Sequence, residues 1–168
     1  MNLSIIIPVY NSEKILENLA KEIDNALDKN IQKELILVND FSKDSSWKII
    51  KKLTKSYSYI KGINLESNYG QHNAITAGLY YASGKYVVMM DDDLQHDPIY
   101  IIKIYSELEK GFDACYVKYL KRKHNIVKKI LSNINHITSS YLSNKPTRIY
   151  TSSFKSINKK LINIINND

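Results

Sequence analysis

Short apolar runs alternate with amphipathic stretches along the first hundred residues. Leu3 to Pro8, apolar apart from Ser4, has the length and pattern of a strand buried on both faces. Val9 to Ser12 reads as the turn after it, with Asn11 or Ser12 as the N-cap of a helix whose Ile15, Leu19, Ile23 and Leu27 recur every four residues. Glu34 to Asn39 is a second strand, followed by the polar loop Asp40 to Ser45 and a helix carrying Trp47, Ile50 and Leu53. Ile60 to Leu65 is a third. The turn Asn68 to Asn73 then leads into a helix with Ala74, Ala77, Gly78 and Tyr81 on one face, where small residues permit close approach to a sheet. Tyr86 to Met90 is a fourth strand. The order β-α-β-α-β-α-β predicts the α/β class: a doubly wound, mostly parallel sheet with helices on both faces and right-handed crossovers.

After Pro98 the periodicity weakens. A helix over Ile101, Ile104 or Tyr105, and Leu108 runs to Gly111, and Asp113 to Val117 reads as a strand. A basic amphipathic stretch opens at Lys121; Pro146 to Ser153 is expected as a late strand and Asn158 to Ile165 as a final helix. Neither repeats nor a Pro- or Gly/Ser-rich linker divide the 168 residues, so one domain is expected, with a ligand-binding part over about 1–97 and a second part over 98–168.

Charge sharpens this division. Up to Pro98 there are 11 Lys+Arg and 13 Asp+Glu; from Ile99 onward there are 13 and 4, which gives −2 and +9 and the overall +7. A basic last third fits an anionic neighbour such as phosphate, acidic headgroups or nucleic acid, although the Lys, Asn and Ile bias of the whole chain also contributes. Cys115 is the sole cysteine, so an internal disulfide and a Cys-rich zinc site are excluded. The N-terminus lacks the basic and long apolar regions of a signal peptide, and no window reaches the apolar length of a membrane span. A cytoplasmic protein is expected, with peripheral attachment at the inner face of the membrane open to it through the basic third.

The chemistry concentrates where the fourth strand ends, at Asp91-Asp92-Asp93-Leu94-Gln95-His96-Asp97-Pro98. Ligands of open α/β sheets bind at such carboxyl ends, and three adjacent carboxylates are tolerable there if solvated or sharing a cation. On an extended backbone Asp91, Asp93 and Gln95 project to one side, with Asp92 and His96 alternating away. Mg²⁺ or Mn²⁺ held by one or two of these carboxylates and completed by diphosphate oxygens is a normal arrangement for hard ions. A solvated acidic loop is the alternative; Asp97 reads as the cap of the next helix. Asp40 could accept a hydrogen bond from a base N–H or merely shape a turn, and Tyr10 could pack on a base or in the core. The turn at Gly70 and Gln71 offers backbone N–H groups at a helix N-terminus. No P-loop, dinucleotide fingerprint or Gly-x-Ser-x-Gly elbow occurs, which counts against an ATPase, a dehydrogenase and a serine hydrolase.

Four segments in order, Ser4 to Asn11, Val38-Asn39-Asp40-Phe41-Ser42, Asn68-Tyr69-Gly70-Gln71 and Asp91 to Pro98, resemble the successive motifs of family 2 glycosyltransferases. The Asp-x-Asp and Leu-Gln-His-Asp-Pro run, with Thr151 to Lys155, is similar to the branch that includes dolichyl-phosphate mannose synthase and bacterial polyprenyl-phosphate sugar transferases. The resemblance implies a GT-A fold and transfer of a sugar, with inversion, from a nucleoside diphosphate sugar, a UDP-sugar being favoured, to a polyprenyl phosphate or glycan in surface polysaccharide synthesis. It places Pro8, Tyr10, Glu13, Asp40, Gly70, Gln71 and Asp92 at the nucleotide-sugar. Asp91 and Asp93 become the catalytic pair and, with Gln95, the ligands of Mg²⁺ or Mn²⁺. Lys118, Lys129 and Ser132 are the nearest matches to the residues that receive the acceptor phosphate.

There are departures. Asn39 stands where the family usually has Asp, and Lys118 and Lys129 stand where Arg is usual, without its bidentate fork. The chain also stops before the basic segment and membrane helices of many such enzymes, so a missing tail is expected. Two other functions remain open: a glycosyltransferase acting on a saccharide hydroxyl with its base in that tail, and a noncatalytic nucleotide-binding domain. A nucleic-acid-binding module gives the Asp cluster no role, and no nucleic-acid partner is expected; the oligomeric state is open.

Overall fold

The computed structural model describes residues 1–95, 97–117 and 154–161. Apart from Val117 they belong to one compact unit, Met1–Tyr116 with Ser153–Asp168. Its centre is a six-stranded sheet built from β1 (Leu3–Val9), β2 (Lys33–Asn39), β3 (Ile60–Asn64), β4 (Tyr86–Met89), β5 (Ala114–Tyr116) and β6 (Lys155–Asn158). The spatial order is β3-β2-β1-β4-β6-β5. The first four strands are parallel, and β6 runs antiparallel between β4 and β5.

Every residue of β1 is buried, which is why its apolar run shows no alternation. Crossovers are made by α1 (Leu16–Ala26), α2 (Ser46–Ser56) and α3 (Gln71–Tyr81), and α4 (Ile99–Glu109) follows β4. Helix α1 buries Leu16, Leu19, Ala20 and Ile23. Helix α3 buries Ala74, Gly78 and Leu79; a Cβ on Gly78 would stand 2.4 Å from Ile6 Cγ2, so only glycine lets this helix approach β1 as closely as it does. Tyr81, expected on that face, is exposed.

The first four predicted strands and α2, α3 and α4 occur where the pattern placed them. The final strand does not. It is the short polar segment Lys155-Ser156-Ile157-Asn158, for which no strand was expected; the final helix, expected from Asn158, begins one residue later at Lys159. The expected strand over 146–153 lies outside the described residues. Helix α1 also starts later than expected: Ile15 is its N-cap, without a side-chain cap, and Ser12 is used elsewhere.

A buried polar network locks the N-terminal ends of the strands. Glu34 in β2 is fully buried and accepts hydrogen bonds at Oε1 from Ser4 Oγ (2.5 Å), Ser83 N (2.7 Å) and Ser83 Oγ (2.8 Å), while Oε2 pairs with Lys61 Nζ at 2.6 Å. Gly84 N donates to Ser4 Oγ at 2.8 Å. These bonds tie β1, β2, β3 and the turn entering β4 together, and so fix β4 beside β1. Burial pushes the Glu34 carboxyl up, but the Lys61 ammonium and the Ser4 and Ser83 donors outweigh it and hold the group down at about 2.

Candidate functional site at the carboxyl ends of the strands

The parallel register decides what meets at the other end of the sheet. Val9 pairs with Asn39 and Ile6 with Met89, so the segments leaving β1, β2 and β4 emerge side by side. Between them lies a cavity of about 320 Å³ lined by Pro8, Val9, Tyr10, Asp40, Asn68, Gly70, Gln71 and the three carboxylates Asp91, Asp92 and Asp93. That volume is at the lower end of small-ligand sites.

Two loops are stitched together at its rim. Asn11 N donates to Ser42 Oγ (3.0 Å) and Lys43 N donates back to Asn11 Oδ1 (2.8 Å). Ser12 N donates to Ser46 Oγ (2.9 Å). Glu13 belongs to this joint and not to the cavity lining: its Oε2 accepts from Ser45 N at 2.8 Å, and its own N–H reaches Asp44 Oδ2 at 3.0 Å. The pattern at Glu13 matched a pocket residue, but its carboxylate is engaged at the entrance to α2.

Asp40 is buried, and its two oxygens accept the backbone N–H groups of Tyr69 (Oδ1, 2.8 Å) and Gly70 (Oδ2, 2.9 Å). It therefore shapes the turn into α3, and a base N–H could use only its remaining lone pairs. Gly70 has φ 84°, a conformation suited to glycine, which lets the chain place that N–H on Asp40 before α3 begins at Gln71.

The acidic segment departs from the alternation expected of it. Strand β4 ends at Met89, and the backbone bends over Asp92 to Leu94, with Leu94 at φ 53°. The premise of an extended chain fails, and with it the prediction that Asp92 turns away: all three carboxylates line the cavity. Asp92 Oδ2 accepts hydrogen bonds from Ser12 Oγ and from Tyr10 N (3.4 Å), so it is anchored to the end of β1. Burial raises the Asp92 carboxyl above its ordinary value, and the nearby Asp93 charge adds to this; the Ser12 and Tyr10 donors offset only part. Gln71 Nε2 donates to Asp91 Oδ1 (2.5 Å), and Asp93 Oδ1 accepts the Gln95 N–H (3.0 Å).

Gln95 itself is exposed and does not line the cavity, because the bend carries it away from the position an extended strand would give it. Asp97 caps α4 as expected, accepting Ile99 N at 2.9 Å. His96, Lys118, Lys129 and Ser132 lie outside the described residues. Among the described residues no three His, Cys, Asp or Glu side chains converge as a ready-made metal cage. Sequence reasoning missed Ser12, Asn68 and Val9 at this site; Ser12 carried a signal only for a helix cap.

A sheet of four parallel strands extended by the antiparallel β6, with an acidic pocket at its carboxyl ends, matches the GT-A glycosyltransferase fold of similar solved structures. The chain belongs to the family described as Glycosyl transferase family 2, whose sequence profile matches residues 4–164. It is 40% identical over 113 residues to an undecaprenyl-phosphate 4-deoxy-4-formamido-L-arabinose transferase of Shewanella sediminis, covering 66% of this chain and 34% of that one. It is 32% identical over 167 residues to an uncharacterized glycosyltransferase, sll0501, of Synechocystis, covering 98% of this chain and 52% of the relative. The chain thus spans about a third to a half of the length of these relatives. Among solved structures it is similar in fold to the mannosyltransferase PcManGT of Pyrobaculum calidifontis in complex with GDP-Man and Mn²⁺, with TM-score 0.69, 16% identity, and coverage of 98% of this chain and 46% of the other. No helix among the described residues is long and apolar enough to cross a membrane.

Proposed function

We propose that this chain binds a nucleoside diphosphate sugar in the cavity at its strand ends, together with Mg²⁺ or Mn²⁺, and transfers the glycosyl unit with inversion to a polyprenyl phosphate. The observation that carries the reading is the meeting of Tyr10, Asp40, Gly70, Gln71, Asp91, Asp92 and Asp93, from four separate loops, around one cavity of about 320 Å³. In this reading residues 1–97 form the donor side and 98–168 the acceptor side of a single domain, with a UDP-sugar as the favoured donor. The relative that takes undecaprenyl phosphate, by its name, supports the acceptor class.

The donor set suits a hard ion. Asp91 and Asp93, both in the cavity lining, would hold it through carboxylate oxygens. When bound, such an ion neutralises charge on the leaving diphosphate, worth several kcal/mol. The chain's own contribution is positioning. Tyr10 offers a half-exposed ring to the base, and the first turn of α3, which begins at Gln71, offers N–H groups to the diphosphate, the Gly70 N–H being held by Asp40. Gln71 orients Asp91, and Ser12 with the Tyr10 N–H orients Asp92.

An acceptor phosphate oxygen is anionic at neutral pH and attacks without a strong general base, which fits a cavity whose carboxylates are all on the donor side. Lys118, Lys129 and Ser132 are proposed to receive that phosphate, and the basic third to meet the membrane's anionic inner face. The test is transfer of radiolabelled sugar from UDP- and GDP-sugars to a short polyprenyl phosphate and, in parallel, to saccharides. Product on the lipid alone supports the proposal; product on the saccharides alone overturns the acceptor.

A further inference from the structure

Among the described residues three non-glycine positions have positive φ: Asn11 at 53°, Phe41 at 58° and Leu94 at 53°. All three sit on loops leaving the carboxyl ends of strands at the candidate site. Asn tolerates this conformation, and Asn11 is held there by its bonds to Ser42 and Lys43. Leu94 is half-buried. Phe41 is different. A bulky aromatic residue at φ 58° is strained, and glycine would adopt the same turn without that strain. The residue is 43% exposed, so burial in the fold repays little, and the Lys43 ammonium stands 5.6 Å from its ring centroid, a weak interaction at an exposed site.

The place of this residue gives the strain a use. Phe41 is not in the cavity lining itself but stands on its rim: it directly follows Asp40, which lines the cavity, and the next residue, Ser42, is hydrogen-bonded to Asn11, the residue directly after Tyr10. Tyr10 and Phe41 therefore stand on two loops fastened to each other at the cavity mouth, with 48% and 43% of their surfaces exposed. Strained backbone of this kind clusters at ligand-binding sites.

We propose that Phe41 is a nucleotide-binding residue: the left-handed turn holds its ring out as a second aromatic face, beside Tyr10, against which the base of the donor packs. The inference rests on the donor site proposed above and extends it. Because every base has a π-face, this contact would favour nucleotides over bare diphosphate without choosing strongly among bases.

The test is calorimetry in Mn²⁺ with UDP, GDP and inorganic diphosphate on the wild type and on Phe41→Gly, Phe41→Leu and Phe41→Trp. Phe41→Gly and Phe41→Leu should weaken both nucleotides by roughly tenfold while leaving diphosphate within about twofold, and Phe41→Trp should keep nucleotide affinity. Phe41→Gly should melt no lower than the wild type, since it relieves the backbone, which separates lost contact from lost fold. Unchanged nucleotide affinity in the Gly and Leu variants overturns the role of Phe41 and leaves the donor site standing, as does an equal loss for diphosphate, which would mean a collapsed loop. A wild type that binds no nucleotide overturns the donor site and this inference together.

Discussion

Replacing Glu34 by Gln should flatten the acid dependence of stability. The folded carboxyl lies at about 2 against an ordinary 4.5, a difference of about 2.5 units, or roughly 3 kcal/mol at 1.36 kcal/mol per unit. Because the folded value is depressed, this stabilisation is fully present above pH 5 and is lost as pH falls through 4.5 toward 2. By pH 3 the linkage relation puts the loss at about 2 kcal/mol. The half-exposed Lys61 partner screens some of the interaction, so about 1.5–2 kcal/mol is the expected size. Urea unfolding of wild type and Glu34→Gln at pH 7, 5, 4 and 3 measures it, the variant serving as control for the other carboxylates. At pH 7 the variant should be weaker by about 2–3 kcal/mol, and the gap should close by about 1.5–2 kcal/mol at pH 3. A gap that stays constant from pH 7 to pH 3 would refute the assignment of the low carboxyl to Glu34.

Other changes probe the joints that hold the cavity. Gly78→Ala places a Cβ 2.4 Å from Ile6 and 3.3 Å from Val38, so it should cost about 1–3 kcal/mol in chemical unfolding by forcing α3 off β1. Ser12→Ala removes one of two donors to Asp92, and should weaken Mn²⁺-dependent nucleotide binding by roughly 5–30-fold in titration calorimetry with little change in melting temperature.

The parallel core was readable because burial on both faces writes itself as an unbroken apolar run: Leu3 to Val9 and Leu35 to Val38 have no exposed side to vary. The i, i+4 stripe of α1 and the small residues Ala74 and Gly78 were legible for the same reason, since each answers a packing need of one element. Strand β6 was not. Its four residues carry one apolar side chain, Ile157, and their strand conformation comes from β4 and β5 on either side, which no local pattern encodes. The acidic turn was half legible: its composition announced a site, but the bend at Asp92 to Leu94 depends on bonds from Ser12 and Tyr10, about 80 residues away in sequence. Glu13 and Ser12 exchanged expected roles because a side chain's partner on another loop cannot be read from its own neighbours.

The central claim is a donor site in which Asp91 and Asp93 share a divalent ion with a nucleoside diphosphate. Titration calorimetry with UDP, GDP and dTDP, each with and without Mn²⁺, tests it most directly, with Asp93→Ala alongside. At least one nucleotide should bind the wild type much more tightly with Mn²⁺, and Asp93→Ala should lose this gain. No Mn²⁺-dependent binding of any of the three, or a gain unchanged in Asp93→Ala, would contradict it.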